Sequence, residues 1–446
     1  MSDLNIHSSG FKRYFVNTSW LMGYRVLSML AALFVGVYVA RYLGPEQFGL
    51  LSYAVSFVGL FTAIATLGID SILIRNLLKT PEKSAILLGT AFCLKIIGAF
   101  AMLLCIFVSL RFMRNDFQTN KLIAFIGCAV IFQALNVIDF YFQAQVKSKY
   151  VVLIQIFQLV ISSVVKIVFV LISAPLVWFA GVYLLDSVIL AFGLFALYRV
   201  LKGNIQGWKW DYTVAKKMLI DSWPLILSGI AISVYLKIGQ VMIKEMLDAK
   251  QVGLYAAAAR LSEAWYFIPV AVASSVFPAI INAKLKSEDL YYQRLQRLYN
   301  LMVIIALVIA LPVTFFSPWI IGILYGDEFL PAAIVLSIHI WTGVFVFLGV
   351  ASGKWLLTEN YMGKNMYRTI LGMIVNIAAN FTLIPRYGIY GAAVSALMAQ
   401  ASADLLYDIF DKETYPSLKM KIRALNPLLL CRFAFENISS FTKKSI

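Results

Sequence analysis

The chain has 446 residues, of which 61% are hydrophobic and 13% are charged, and its mean hydropathy is +0.83. Soluble domains are roughly half apolar and a quarter charged, so this composition excludes a water-soluble fold. The formal net charge of +16 is explained below by membrane topology, and nucleic acid is not needed as a partner. With two histidines and four cysteines that form no CxxC pair, we expect no cofactor and no bound metal.

Long apolar stretches follow one another along most of the chain. Windows of about 20 apolar residues predict transmembrane helices, and continuous rather than alternating apolar runs favour helices over a β-barrel. The first run is longer than the ~7–15 residues of a signal-peptide core, so we expect it to remain as a span. The sequence therefore predicts an all-α polytopic membrane protein with about twelve transmembrane helices. In chain order the predicted spans are 16–42, 50–72, 84–110, 122–145, 151–173, 178–198, 218–243, 254–281, 298–324, 332–357, 368–384 and 389–411.

The basic residues are distributed unevenly between alternate loops. With the N-terminus in the cytoplasm, 25 of the 38 Lys and Arg residues lie on the cytoplasmic side and seven on the opposite side. The other six lie inside spans. This asymmetry follows the positive-inside rule. We therefore expect a multi-pass protein of the bacterial inner membrane with both termini in the cytoplasm.

Short similarities between the two halves indicate an internal repeat. Residues 47–50 (QFGL) align with residues 251–254 (QVGL), and nearly the same shift aligns the Ser-Trp pairs at 19–20 and 222–223. This repeat predicts two pseudo-symmetric six-helix lobes related by an axis along the membrane normal. The predicted organisation is an N-terminal lobe at 1–200, a cytoplasmic loop at 201–217, a C-terminal lobe at 218–411 and a basic cytoplasmic tail at 412–446.

The tail combines seven basic residues with the short apolar run at 428–431. This run is too short to cross a bilayer. A basic segment with an apolar patch is typical of a surface that lies on the anionic cytoplasmic leaflet. We therefore expect membrane lipids to be a partner of the tail.

Ionisable side chains inside the spans are functional candidates, because each costs several kcal/mol unless it faces protein or water. Five that fall near cytoplasmic ends are expected to reach solvent instead. These five are Lys354, Asp70, Asp221, Asp404 and Asp408. The deeper set comprises the basic residues Arg25, Lys95, Lys166, Lys237 and Arg260 and the acidic residues Asp139, Asp186 and Glu263. The resulting net positive interior suits an anion such as phosphate or pyrophosphate.

The two arginines are the best candidates for phosphate binding, because a guanidinium stays charged and can donate two parallel hydrogen bonds. For Arg260, an ion pair with Glu263 on the same helix face is an equally good interpretation. For Lys237, substrate contact and pairing with an acidic residue are likewise equally good interpretations. For Lys95 and Lys166, pairing with an acidic residue is favoured over substrate contact.

Five stretches of the sequence are similar to those of a known family. The N-terminal stretches are NTSWLMGYR at 17–25 and ARYLGPEQFGLLSYA at 40–54. The later stretches are AARLSEAWYFIPVAVASSVFPAI at 258–280, LYGDEFLPAA at 324–333 and IPRYGIYGAA at 384–393. They resemble the polysaccharide-transport branch of the MOP exporter superfamily, which includes the Wzx-type O-antigen flippases. The similarity extends over nearly the whole chain and does not identify a sugar.

The resemblance implies two six-helix lobes around a cationic cavity, alternating access, and an undecaprenyl-pyrophosphate-linked oligosaccharide such as an O-antigen repeat unit as substrate. It also implies a polysaccharide polymerase and a chain-length protein as partners. Related flippases carry functional arginines in the first and eighth helices, which Arg25 and Arg260 match by helix.

Four residues are candidates for coupling or gating. In related flippases a cation site can use helix eleven, where Asn376 and Asn380 share one face in this chain, although no acid accompanies them. Asp70 and Asp139 are the acidic candidates, because they are ionisable groups inside predicted spans.

Two other functions remain as alternatives. An ion-coupled exporter of drugs or small molecules could use the same scaffold, but a net positive interior repels cations. A membrane enzyme acting on the lipid-linked glycan would need catalytic groups in an extracytoplasmic loop. The longest such loop, around 111–121, has a single acid, Asp116, so paired carboxylates for acid–base catalysis are missing there. We therefore expect a transporter and not an enzyme.

The topology can be tested with the single-cysteine variants Gln47→Cys and Lys209→Cys. The charge asymmetry places residue 47 outside and residue 209 in the cytoplasm. A membrane-impermeant maleimide should therefore label only Gln47→Cys in intact cells, and both variants after permeabilisation. Equal labelling of the two variants in intact cells would contradict this topology.

Overall fold

The computed structural model describes residues 2–113, 115–201 and 205–429, and side chains from residue 16 onward except that of residue 205. Within these ranges the chain forms helices and no strands, so the all-α prediction is confirmed. Three basic residues of the predicted tail, Arg432, Lys443 and Lys444, lie outside the described residues.

The chain divides into two compact units, an N-terminal unit that ends at Val241 and a C-terminal unit that begins at Met242. The predicted boundary at 218 lies earlier, and it stays a prediction. The helices that begin in the N-terminal unit are α1 (Ser2–Leu60), α2 (Thr62–Thr66), α3 (Asp70–Lys79), α4 (Ser84–Leu110), α5 (Phe117–Phe132), α6 (Val137–Ala144), α7 (Ser148–Leu171), α8 (Leu176–Val200) and α9 (Tyr212–Met246).

The C-terminal unit has a similar all-helical make-up. A π-helical turn at Ser402–Leu406 follows its longest helix. Its helices are α10 (Ala249–Glu263), α11 (Phe267–Lys284), α12 (Glu288–Tyr325), α13 (Ala332–His339), α14 (Thr342–Thr358), α15 (Met362–Ala401), α16 (Tyr407–Phe410) and α17 (Tyr415–Leu425).

Ten helical segments of the described chain are long and apolar enough to cross a membrane. Eight of them each match one predicted span, and Met362–Phe410 covers two. Val16–Leu60 covers the first predicted span and part of the second, which continues beyond Leu60 into α2 and α3. Both long segments bend at a glycine with positive φ, which is 68° at Gly44 and 59° at Gly388. Glycine adopts this conformation without the steric cost of a Cβ. The ten segments therefore account for eleven of the twelve predicted spans and for part of the span at 50–72.

Two predicted spans are broken inside the N-terminal unit. The span at 50–72 passes from the end of α1 through α2 to α3, with Leu67 and Gly68 at positive φ between α2 and α3. The span at 122–145 contains a 3₁₀ turn at Gln133–Asn136 between α5 and α6. The expectation of one continuous helix is wrong for both. Broken helices at membrane depth are tolerated where they face protein or a water-filled cavity, and they are typical of transport sites.

Each unit has its own hydrophobic core. In the N-terminal unit, Leu88 and Leu194 are fully buried in a cluster built mainly from α3, α4, α6 and α8. In the C-terminal unit, Leu295 and Leu348 are fully buried in a cluster of α11, α12 and α14 that also includes Ala424 of α17. The helix after the last predicted span is therefore part of the core of its unit.

A buried charge network connects α17 to the last membrane segment. Asp408 is fully buried and accepts hydrogen bonds from Arg368 and from Lys421, whose Nζ lies 2.8 Å from Oδ2. Arg368 also donates from Nη1 to the hydroxyl of Ser352 at 2.6 Å. The expectation that Asp408 reaches solvent is wrong, because two cations neutralise its charge inside the protein.

Lys421 itself is fully buried, and its ammonium also donates to the carbonyl oxygen of Asp404. Burial and the neighbouring Arg368 guanidinium lower the pKa of Lys421 to about 8, against the opposing effect of the Asp408 carboxylate. Because its charge is used inside the protein, Lys421 does not contribute to leaflet binding. This corrects the expectation for one of the seven basic residues of the tail.

We predict that Lys421→Ala destabilises the C-terminal unit by about 2–3 kcal/mol, because it removes one of two cations from a buried carboxylate. Lys419→Ala is the matched control, since Lys419 is exposed on the same helix. Thermal unfolding of the purified proteins, followed by intrinsic fluorescence, measures the difference. Equal melting temperatures for the two variants would contradict the structural role of Lys421.

Candidate functional site

A cavity of about 360 Å³ lies within the N-terminal unit, beside both broken spans. Helices α1, α2, α5, α8 and α9 contribute to its wall. Its polar lining residues are Thr62, Gln133, Tyr183, Ser187, Ser233 and Lys237. This volume lies within the ~300–1,000 Å³ that ligand pockets usually have, and a few polar groups in a mostly apolar wall are also typical of such pockets. We call it the Lys237 cavity.

Lys237 is the cation of this cavity. It lies on α9, is half-buried, and makes no ion pair with any residue in the described ranges. Its aliphatic stem crosses α1 at Gly59, where an added Cβ would lie 3.3 Å from Lys237 Cγ. The absence of a side chain at Gly59 therefore gives the lysine stem room to pass.

An ammonium at membrane depth without a carboxylate partner favours an anionic ligand. Charges in this environment are usually paired within the protein, because the cost of removing them from water is high. The hydroxyl and amide groups around Lys237 can add hydrogen bonds to a bound oxyanion. The arrangement can therefore hold a phosphate group, and the neighbouring polar side chains can also contact a sugar.

A second charged cluster lies where the two broken spans meet α4. Lys95 is 5% exposed, its Nζ lies 2.6 Å from Asp70 Oδ1, and it is 4.8 Å from the ring centroid of Phe140. Asp139 interacts electrostatically with both Lys95 and Asp70, and it accepts a hydrogen bond from Gln143 at 3.1 Å. The structure thus brings two coupling candidates, Asp70 and Asp139, together around one lysine.

Lys166 also has an acidic neighbour. Its Nζ lies 3.9 Å from Asp186 Oδ2, which also accepts a hydrogen bond from the Ser162 hydroxyl at 3.0 Å. Lys95 and Lys166 therefore show the pairing that the sequence analysis favours for them. Because Asp70 pairs with Lys95 rather than reaching the surface alone, the positive excess of the interior is smaller than the sequence predicts.

The two arginines are not part of the Lys237 cavity. Arg25 is exposed on α1, and its carbonyl oxygen accepts a hydrogen bond from Ser28 at 2.9 Å. Arg260 belongs to the C-terminal unit, where it is half-buried in the last turn of α10 and interacts electrostatically with Tyr325. A role for either arginine in substrate binding stays a prediction.

Asn376 and Asn380 lie on one face of α15, as predicted. Asn380 donates from Nδ2 to Asn376 Oδ1 at 2.8 Å, and the two residues are 1% and 4% exposed, respectively. Asn380 Oδ1 is buried and has no hydrogen-bond partner among the described residues. No cluster of three or more His, Cys, Asp or Glu residues suited to a metal occurs among the described residues. A gating role of the asparagine pair stays a prediction.

The sequence alone did not point to the neutral polar residues of the Lys237 cavity. Gln133 directly follows the last residue of α5, and Tyr183 lies on α8. Neither side chain carries a charge that would single it out. The available signal was polarity within an apolar run: Gln133 lies near the middle of a predicted span, and Ser187 follows Asp186 directly. Neutral residues of this kind become recognisable only when helices from different parts of the chain are brought together.

The chain matches the family of polysaccharide biosynthesis proteins over residues 15–284. A probable low-salt glycan biosynthesis flippase, Agl15, of Haloferax volcanii is 27% identical over 224 residues, which are 49% of this chain and 46% of that protein. A candidate O-antigen transporter of Shigella dysenteriae is 24% identical over 184 residues, which are 41% of this chain and 46% of that protein. The chain's match thus spans less than half the length of either relative.

Solved transporter structures share the fold. An inward-facing multidrug resistance MATE family transporter of the MOP superfamily has a TM-score of 0.70, with 15% identity over 88% of this chain and 95% of that one. The lipid II flippase MurJ in an inward closed conformation has a TM-score of 0.68, with 14% identity over 92% of this chain and 91% of that one. At this identity the likeness shows the fold alone, and it confirms the predicted MOP-type fold.

We predict that Lys95→Ala lowers the free energy of unfolding by about 1–3 kcal/mol, because it leaves the Asp70 carboxylate without its cation. Asp70 is 40% exposed, so water offsets part of the loss. Adding Asp70→Asn to Lys95→Ala should recover some stability. Thermal unfolding in detergent measures these effects, with Lys79→Ala, exposed on α3, as control. A double variant no more stable than Lys95→Ala would argue against carboxylate repulsion as the cause.

Proposed function

We propose that this chain, which belongs to the family of polysaccharide biosynthesis proteins, is a flippase for a lipid-linked saccharide. In this proposal it moves the saccharide from the cytoplasmic to the extracytoplasmic leaflet of the bacterial inner membrane and leaves its covalent structure unchanged. The family match over residues 15–284 supports the proposal. The MOP-type fold, which one flippase and several transporters share, is compatible with it.

The observation that carries the proposal is Lys237, which forms no ion pair with a described residue and lies in a cavity lined by hydroxyl and amide groups. A lipid-linked saccharide has an anionic phosphate beside a glycan rich in hydroxyl groups. The ammonium supplies a charge for the phosphate, and groups such as Gln133 and Ser187 can exchange hydrogen bonds with sugar hydroxyls.

The finer substrate assignment is an undecaprenyl-pyrophosphate-linked oligosaccharide, such as an O-antigen or a related surface polysaccharide repeat unit, carried by alternating access. Lys237 is the primary phosphate contact. Arg25 and Arg260 are proposed to contact the pyrophosphate at other stages of transport, because a guanidinium holds phosphate oxygens well. Lys95 and Lys166 would join them only when their ion pairs with Asp70 and Asp186 open.

Export of cationic drugs is disfavoured by the same cavity. Lys237 repels a cation, and none of the cavity's lining residues is acidic, so a cationic drug would have no counter-charge there. Catalysis is disfavoured because relatives with the matching sequence are named as a flippase and a transporter. The proposal further includes cytoplasmic termini, and a polysaccharide polymerase and a chain-length protein as partners.

We predict that Lys237→Ala lowers the flipping rate at least about tenfold, because a charge-assisted phosphate contact contributes roughly 1.5–3 kcal/mol. Lys237→Arg should keep part of the activity, since it preserves the charge. Lys217→Ala is the matched control, because Lys217 is exposed near the start of the same helix. The assay uses the purified full chain in liposomes with a fluorescent polyprenyl-pyrophosphate-linked oligosaccharide, and measures the fraction in each leaflet over time.

Melting temperatures of the three variants should stay close to that of the parent chain, since Lys237 makes no ion pair in the described structure. A normal rate for Lys237→Ala would contradict its role in phosphate binding. A parent chain that leaves the lipid-linked unit in its original leaflet, or lengthens or cleaves the glycan, would overturn the flippase proposal itself.

A further inference from the structure

A second cavity, of about 470 Å³, lies within the C-terminal unit. Three parts of the chain form it: the end of α9 with the start of α10, the start of α13, and the bend of α15. Its lining includes Asp248, Lys250, Gln251, Pro331, Tyr387 and Tyr390. We call it the tyrosine cavity, and none of its residues belongs to the Lys237 cavity.

Local backbone geometry builds the tyrosine cavity. Asp248 is the N-cap of α10, and its Oδ1 accepts a hydrogen bond from the backbone N–H of Gln251 at 2.8 Å. In the wall formed by α15, the helix bends at Gly388, where φ is 59°. The bend falls between Tyr387 and Tyr390, so both rings line the same opening. Tyr387 is 60% exposed, which leaves much of its ring available for contact.

The positive-inside pattern places this cavity on the extracytoplasmic side. The loops at 244–250 and 325–331 and residue Arg386 all belong to the side that carries few basic residues. Each of the three cavity walls includes or adjoins one of these segments. A ligand bound there is therefore in contact with the compartment into which the proposed flippase delivers its cargo.

The chemistry of the lining favours an uncharged, hydroxyl-rich ligand. One carboxylate, Asp248, and one ammonium, Lys250, balance each other's charge, so the cavity lacks the positive excess that a phosphate requires. The amide of Gln251 and the tyrosine hydroxyls can both donate and accept hydrogen bonds. Tyrosine rings present flat apolar faces, and a sugar ring presents an apolar face of C–H groups beside its hydroxyls.

We propose that the tyrosine cavity is an extracytoplasmic binding site for the saccharide portion of the substrate. The proposal rests on the proposed flippase function for the identity of its ligand. The tyrosine rings stack on a sugar ring, while Asp248, Gln251 and Lys250 form hydrogen bonds with its hydroxyls. The phosphate is not recognised there, so the site holds the glycan by contacts that do not depend on the lipid anchor.

The test measures binding of a soluble glycan to the purified full chain in detergent. The probe is the water-soluble oligosaccharide released by mild acid from the polyprenyl-linked glycan of the producing cells, and calorimetry gives its dissociation constant. Tyr387→Ala and Tyr390→Ala should each weaken binding about five- to tenfold, because each removes a stacking ring. Tyr387→Phe keeps the ring and should bind nearly as well as the parent. Tyr367→Ala is the matched control, because Tyr367 is exposed near the start of α15, away from the bend.

The outcomes separate this site from the proposed flippase mechanism. Two results together would support the site: Lys237→Ala binds the oligosaccharide as well as the parent chain, and inorganic pyrophosphate does not displace it. This support would hold even if Lys237→Ala had a normal flipping rate. No binding by the parent chain, or equal binding by the parent, Tyr387→Ala and Tyr390→Ala, would overturn it. Displacement by inorganic pyrophosphate would also overturn it, because a neutral saccharide site has no affinity for that anion.

Discussion

Hydrocarbon offers no hydrogen-bonding partner to a backbone amide or a charged side chain, and this constraint governs where the chain bends and where it places its ions. The bends at Gly44 and Gly388 occur where long helical segments change direction, at residues that adopt positive φ without steric cost. The breaks at Leu67 and Gln133–Asn136 lie beside a cavity or a charged cluster rather than within a purely apolar stretch of helix. Irregular backbone therefore coincides with polar surroundings in the N-terminal unit.

The same constraint makes unpaired charges informative. Lys95 and Lys166 have carboxylate neighbours, and the buried cations Arg368 and Lys421 share Asp408. Such pairs offset the cost of removing charge from water, so they need no ligand to explain them. Lys237 makes no comparable pair with a described residue and lines a polar cavity instead. Among the lysines predicted to lie deep in the membrane, it is therefore the one that we propose to bind an external anion.

The sequence was sufficient for the fold class and for most span positions, because hydropathy acts locally along the chain. It could also single out Lys237 as an ionisable residue within a span. It could not separate Lys237 from Lys95, since pairing with Asp70 depends on a break in another helix. The buried position of Lys421 was equally hidden, because a lysine in a basic tail looks like a surface residue until its helix packs on a core.

A carrier of an amphiphilic substrate has to recognise its cargo and still release it, so no single contact can be too strong. The Lys237 cavity presents one ammonium rather than a guanidinium fork, which grips a phosphate less firmly and with less demand on geometry. The tyrosine cavity has no net charge and offers stacking and hydrogen bonds. In the proposed mechanism, recognition is divided between an anion site and a glycan site, so each contributes modest affinity. A glycan site that varies in its polar residues could then change saccharide preference while the phosphate contact stays the same, because the two sites share no residue.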